Sequence, residues 1–156
     1  MSEGAVRYRL GVIGTGVMGR ALLNAAIRAG VLEAAQVIAS DVSAACRHEV
    51  EALGCVATDD NREVVANAER ILVAVKPQVI GTVLSDLRAS FRDRQLVISI
   101  AAGVTLAALR AAVGPTPALV RVMPNLGAQL RQAVLCVTFD EHFPRKMGEE
   151  VRQMLG

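Results

Sequence analysis

Short apolar runs rich in β-branched residues alternate with stretches of helical periodicity along most of the chain. The runs are Arg9–Ile13, Gln36–Ser40, Cys55–Thr58, Arg70–Val75, Gln95–Ile100, Leu119–Met123 and Val134–Phe139. Two of them, ILVAV at Ile71–Val75 and LVISI at Leu96–Ile100, are continuous rather than alternating in polarity, as strands of a parallel sheet covered on both faces should be. Between the runs lie helical patterns at Val17–Ala29, Ala44–Leu53 and Leu106–Val113, each followed directly by a glycine (Gly30, Gly54, Gly114). Glycine there takes the left-handed conformation that closes a helix. Ser43, Thr105 and Asp140 are N-cap candidates, because their side-chain oxygens accept the unpaired amides of a first turn. No repeat or linker divides the sequence, so the pattern predicts one α/β domain over residues 1–156, a doubly wound and mainly parallel sheet. Ligand chemistry then belongs beyond the carboxyl ends of its strands. A last helical pattern, Arg145–Leu155, precedes Gly156, where the alternation calls for another strand.

Composition narrows the partners. At 156 residues such a chain can bury roughly 68–70% of its unfolded surface and needs no disulfide or metal to fold. Hydrophobic residues make up 53% but aromatics only 3%, so Ala and Val dominate, which suits close packing of helices on a sheet. Seventeen basic against 15 acidic side chains give +2, with both signs scattered. Neither a basic surface nor a base-stacking platform is present, which argues against nucleic acid. The longest uncharged run, Gln95–Leu109, is too short to span a bilayer, which argues against a membrane. MSEGAVRYRL has no apolar signal core, so a cytoplasmic protein is expected. Cys46, Cys55 and Cys136 are odd in number, widely spaced and without metal-ligand pattern; they read as reduced thiols packing as small hydrophobes, with no metal site.

The chemistry starts at the first strand, which runs into Gly14-Thr15-Gly16-Val17-Met18-Gly19 and then a helix. This is GxGxxG in its required context. The first glycine serves a tight turn, the second lets backbone approach a pyrophosphate, and the third allows helix–strand packing. The helix that follows offers free N–H groups and its positive dipole end to phosphates. The arrangement predicts a Rossmann-type dinucleotide-binding domain. The second strand ends at Ser40-Asp41, where such folds read the adenosine ribose. Asp41 could accept from the ribose hydroxyls of NAD or could start the turn into the Ser43-capped helix, and Ser40 could donate to the 2′-phosphate of NADP. After the fourth strand, Lys76 is a cation at the edge of the crevice, holding a ligand or simply solvated, and Pro77 suits the first position of a helix. Ala101-Ala102-Gly103 lets backbone approach a flat ring. Asn125, after the sixth strand, either orients a ligand or makes an Asx turn.

Hydride transfer to or from a hydroxyl usually recruits a His or Lys as acid or base. His48 falls inside the second helix and His142 after the last strand, and neither reads as catalytic. An imine relaxes the requirement, because its nitrogen can already carry the proton. That shifts weight from alcohol oxidation to C=N reduction, with the catalytic residue itself unknown.

LGVIGTGVMG, TDDNREVVANAERILVAVKPQVI, LVISIAAGV and RVMPN, in this order across residues 10–125, resemble the amino-terminal half of the pyrroline-5-carboxylate reductases. The resemblance implies NAD(P)H-dependent reduction of 1-pyrroline-5-carboxylate to L-proline. It assigns Gly14, Thr15, Gly16, Val17 and Met18 to the pyrophosphate loop. Ser40 and Asn61 go to the adenosine ribose or its phosphate, and Ala74, Val75, Lys76 and Pro77 flank the nicotinamide together with Ile100, Ala101, Ala102 and Gly103. Asn125 is the substrate-side candidate. Val17 departs from the Asn of many members, and Asp41-Val42 from the basic residue of NADP-preferring ones, so NADP and NAD both stay open. Leu126-Gly127 and Arg131-Gln132-Ala133 also replace the family's usual residues beside the substrate. The family continues into a helical domain that dimerises and supplies most of the substrate pocket. This chain is therefore expected to carry the cofactor-binding part of a homo-oligomeric enzyme and to be inactive alone. Alternatives are a β-hydroxyacid dehydrogenase-like oxidoreductase and a non-catalytic dinucleotide-sensing domain that binds a partner.

Overall fold

A computed structural model describes residues 7–123, 136–139 and 149. Strand and helix alternate from its start. β1 (Tyr8–Ile13) leads into α1 (Val17–Arg28), β2 (Val37–Ser40) into α2 (Ala44–Ala52), and β3 (Val56–Thr58) into α3 (Asn61–Asn67). β4 (Ala68–Val73) leads into α4 (Pro77–Leu87) and β5 (Leu96–Ser99) into α5 (Leu106–Val113), and β6 (Ala118–Met123) and β7 (Cys136–Phe139) follow. The seven strands form one sheet in the order β3-β2-β1-β4-β5-β6-β7. Every neighbouring pair from β3 to β6 is parallel. β7 runs antiparallel to β6, with Val122 opposite Val137. With this antiparallel edge the sheet is mainly parallel, as the pattern predicts.

Residues in register alternate between two cores, one on each face. Ile71 and Val73 of β4 point with Val97 and Leu119 toward Ile80 and Leu84 of α4 and Leu109 and Val113 of α5. Leu72 points the other way, with Leu10, Val12, Val37 and Ile98, toward Leu23 of α1 and Val50 of α2. A period of two in a strand coated on both sides needs an apolar residue at every position, hence the unbroken runs. Each fully buried Val, Leu or Ile contributes on the order of 1.5–3 kcal/mol relative to exposure.

The element ends follow local chemistry. Gly30, Gly54 and Gly114 all have positive φ just past their helices. The pattern places the fourth strand at Arg70–Val75, but pairing begins at Ala68 and ends at Val73. Ala74 and Val75 leave the sheet to approach the first turn of the chain, described below. Gln36 belongs to a single 3-10 turn (Ala34–Gln36) rather than to β2. The helical pattern Arg145–Leu155 and the candidate cap Asp140 lie outside the described residues. Among the described residues no helix is long and apolar enough to cross a membrane.

Candidate functional site

The strand order reverses direction between β1 and β4, since the chain winds outward to β3 and then crosses back over β1. At such a switch point the connections leave opposite faces and a crevice opens beyond the carboxyl ends. α1 leaves β1 toward one face and α4 leaves β4 toward the other, as their buried residues Leu23 and Ile80 show.

Helix capping separates these two helices from the rest. Ser43 caps α2 by accepting the Cys46 amide, Asp60 caps α3 through the Arg62 amide, and Thr105 caps α5 through the Ala108 amide. α1 starts at Gly16 and α4 at Lys76, neither with a side-chain cap. Neither has an acidic residue in its first turn. The two helix starts that border the crevice therefore keep unneutralised positive ends, suited to an anion.

The glycines of the loop divide the steric work. Gly14 sits at φ +90, and a Cβ there would fall 2.9 Å from the Val75 amide nitrogen. This is why β4 releases Ala74 and Val75: the loop and the end of β4 meet backbone to backbone, and the Ala74 amide donates to the Ile13 carbonyl at 2.8 Å. A Cβ on Gly19 would lie 2.5 Å from the Gly14 carbonyl oxygen, so only glycine lets α1 start this close to the turn. Gly16 is different. Nothing lies within 4 Å of a Cβ placed on it, and it is exposed with Val17 and Met18. The loop is open on that side, with room for a ligand to approach its backbone.

Polar side chains gather at the end of β2. The Gly14 amide donates to the Ser40 carbonyl at 3.0 Å. Ser40 is buried, and its hydroxyl donates to Asn61 Oδ1 at 2.7 Å, tying β2 to the start of α3. Asp41 Oδ2 accepts from the Thr15 amide at 2.8 Å and from its hydroxyl at 3.1 Å, while Oδ1 accepts from the Ser43 amide at 2.8 Å. Of the two roles the sequence leaves open for Asp41, the structure displays the turn into α2, and adds a brace on the glycine loop. Arg47 of α2 reaches back, its Nη1 donating to the carbonyls of Asp41 (2.9 Å) and Val42 (3.2 Å). Sequence reasoning missed Arg47; its signal was a position four residues past the Ser43 cap, on the turn that faces the preceding loop. Val42 is 95% exposed beside it.

The β4–β5 end is plainer. Lys76 and Pro77 are exposed, Ala74 and Val75 half-buried. The Ile100 amide donates to the Val73 carbonyl at 3.4 Å. Ala101 is buried, its amide donating to Ser99 Oγ at 3.3 Å, while Ala102 and Gly103 are exposed. Gly14 to Met18, Ser40, Asn61, Ala74 to Pro77 and Ile100 to Gly103 thus line one edge of the sheet. Asn125 lies outside the described residues.

His48 is largely exposed on α2, with Nδ1 3.4 Å from Glu51; it does not reach this edge. His142 is outside the described residues. Cys55 is buried, and burial raises its thiol above the ordinary value. Among the described residues no three His, Cys, Asp or Glu side chains gather to hold a metal ion.

The fold and site define a dinucleotide-binding α/β domain of the Rossmann type. The chain belongs to the family described as NADP oxidoreductase, coenzyme F420-dependent, which residues 9–103 match. Its curated relatives are pyrroline-5-carboxylate reductases, and the chain corresponds to their amino-terminal half. It is 39% identical over 126 residues to the pyrroline-5-carboxylate reductase of Methanosarcina acetivorans, covering 80% of this chain and 47% of that protein. It is 34% identical over 134 residues to pyrroline-5-carboxylate reductase 3 of Rattus norvegicus, covering 86% and 49%. A pyrroline-5-carboxylate reductase structure from Coxiella burnetii superimposes with a TM-score of 0.86 at 25% identity, covering 96% of this chain and 56% of that one. The chain spans about half the length of the curated relatives it matches.

Proposed function

We propose that this chain is the cofactor-binding half of an enzyme that reduces 1-pyrroline-5-carboxylate to L-proline with NAD(P)H. The observation that carries the reading is the pair of uncapped helix starts, α1 and α4, facing the β1/β4 switch point behind an open glycine loop. Four sequence motifs arranged as in the reductases supply the substrate class.

The residues fit the dinucleotide. The Gly16 cradle leaves room for the pyrophosphate, and the free amides at the start of α1 donate to its oxygens without a competing carboxylate in the first turn. Thr15, Val17 and Met18 shape that loop. Ser40 and Asn61 form a polar pair for the adenosine ribose. Ala74, Val75, Ile100, Ala101, Ala102 and Gly103 present small side chains and backbone to a flat ring, and the exposed Lys76, before Pro77, offers a cation beside it.

When bound, the reduced dinucleotide supplies a hydride for the C=N carbon of the substrate. A protonated imine nitrogen removes the need for an acid among the described residues. Asn125 is the substrate-side candidate. A carboxy-terminal helical domain completes the substrate pocket and joins subunits into a homo-oligomer, and the enzyme works in the cytoplasm. The test is a comparison of the isolated 156 residues with the full-length protein. The isolated chain should bind NAD(P)H and show negligible pyrroline reduction, while the full-length protein turns over. Absence of reductase activity in the full-length protein, or oxidation of small hydroxyacids in its place, would overturn the reading.

A further inference from the structure

Helix α3 carries the chain from β3 back across β1 to β4, and it ends unlike its neighbours. Among the described residues, the other α-helices close on themselves: the C-cap amides of Ala29, Leu53, Arg88 and Gly114 donate back to carbonyls of their own helices. α3 has no such closure and passes straight into extended backbone at Ala68 (φ −117, ψ 146), the first residue of β4. A helix end leaves carbonyls that need donors. Here a distant side chain supplies them. Gln95, the residue before β5, is buried, and its Nε2 donates to the carbonyls of Val65 at 2.7 Å and Ala68 at 3.0 Å. Its Oε1 accepts the Arg92 amide at 2.7 Å. Both protons of the Gln95 amide are therefore spent on the junction of α3 with β4.

The body of α3 is fixed as closely. A Cβ on Gly11 of β1 would lie 2.5 Å from Val64 Cγ1 and 2.9 Å from Ala68 Cβ, so α3 lies on the strand with no side chain between them. Seven residues rise about 10 Å along a helix. A placement made where the strands begin is thus carried to Asn61, where they end. There Asn61 Oδ1 accepts the Ser40 hydroxyl, which leaves the Nδ2 donors available to a ligand.

We propose that Gln95 is a positioning residue for dinucleotide binding: from the edge of the sheet opposite the site it sets α3, and through α3 the Asn61 amide that meets the adenosine end. The inference rests on the dinucleotide-binding reading above. An apolar side chain of equal bulk would fill the same space, but it would leave two carbonyls and the Arg92 amide unpaired and the end of α3 free to shift.

The experiment measures dissociation constants of NADH and NADPH by nicotinamide fluorescence on the full-length protein, for wild type, Gln95→Met, Asn61→Ala and the double variant, at a temperature where circular dichroism shows each of them folded. Gln95→Met and Asn61→Ala should each weaken the tighter cofactor by about tenfold. The double variant should be no more than about twofold weaker than Asn61→Ala alone. A Gln95→Met protein that melts earlier yet binds as tightly as wild type overturns the proposal, because the side chain then serves the fold only. Losses that multiply in the double variant overturn it too, as does an Asn61→Ala that binds like wild type. Should Gln95→Met fail to fold, Gln95→Asn, which keeps the amide but stops one methylene short of the α3 carbonyls, replaces it with the same expected non-additivity. A wild type that binds neither cofactor would instead bring down the dinucleotide reading itself.

Discussion

The two sides of the switch point are built in opposite ways. On the β1–β2 side, side chains lock one another: Thr15 to Asp41, Asp41 to Ser43, Ser40 to Asn61, and Arg47 to the carbonyls of the turn. On the β4–β5 side, backbone and small residues meet the crevice. The side-chain bond described there, Ser99 with the Ala101 amide, faces inward. A scaffold that recognises one end of a long ligand through fixed polar groups can leave the other end bare, because positioning the first end brings the second within reach. The braced side holds its polar groups fixed, and the bare side leaves backbone and small residues open.

The sharpest way to break this contrast is to disturb the loop that joins the two sides. Gly19→Ala places a methyl 2.5 Å from the Gly14 carbonyl oxygen, and backbone on both sides must move. The expected cost is about 1–3 kcal/mol in urea denaturation, with dinucleotide affinity lost alongside. Gly16→Ala is the partner experiment. Its φ of −66 suits any residue and its Cβ meets nothing, so stability should hold while affinity falls. Equal destabilisation by both substitutions would mean that α1 is not pinned on the loop.

A smaller effect tests the brace itself. Ser40→Ala, Asn61→Ala and the double variant form a cycle whose coupling energy should be about 0.5–1.5 kcal/mol. A coupling of zero would mean that the 2.7 Å bond adds nothing to the folded state.

The braced side also carries Cys55, at the entry to β3, and its behaviour with pH follows from burial. Its folded-state thiol titrates above its ordinary value of 9.0 because burial disfavours the thiolate. The folded chain therefore holds that proton more tightly than the unfolded one. The associated stability is fully present below the ordinary value and is lost as pH rises from there through the raised one. Urea midpoints collected between about pH 8 and pH 11 should show a fall in wild type that Cys55→Ala reduces, and peptide mapping should find Cys46 alkylated before Cys55. The smallest effect belongs to the bare side. Exposed Lys76 should change stability by less than about 0.5 kcal/mol when replaced by Ala, and a larger drop in the melting temperature would show that side to be braced as well.

Much of this was legible from local pattern. ILVAV and LVISI are unbroken because both faces of β4 and β5 are covered. The spacing of the glycines told the turn from the cradle, and the glycine ends of α1, α2 and α5 fell where expected. What sequence could not supply were relations between distant segments. Ala74 and Val75 look like strand, but the Gly14 turn draws them off the sheet. Asp41 can be read as a ribose ligand or as a turn former, because the threonine that engages it lies 26 residues away. The antiparallel direction of β7 depends on how the chain returns after β6, which no periodicity encodes.

The reversal of strand order also governs how the crevice comes into being. β1 meets β4 across 60 residues, Tyr8 opposite Ala68, whereas β1 meets β2 across 27. Closing that longer loop is the entropically costlier step. A nascent chain that has emerged only through β3 has its glycine loop and its Asp41 but lacks the far wall of the crevice. Ligand capture therefore reports on completion of the longest-range strand pairing in the described sheet.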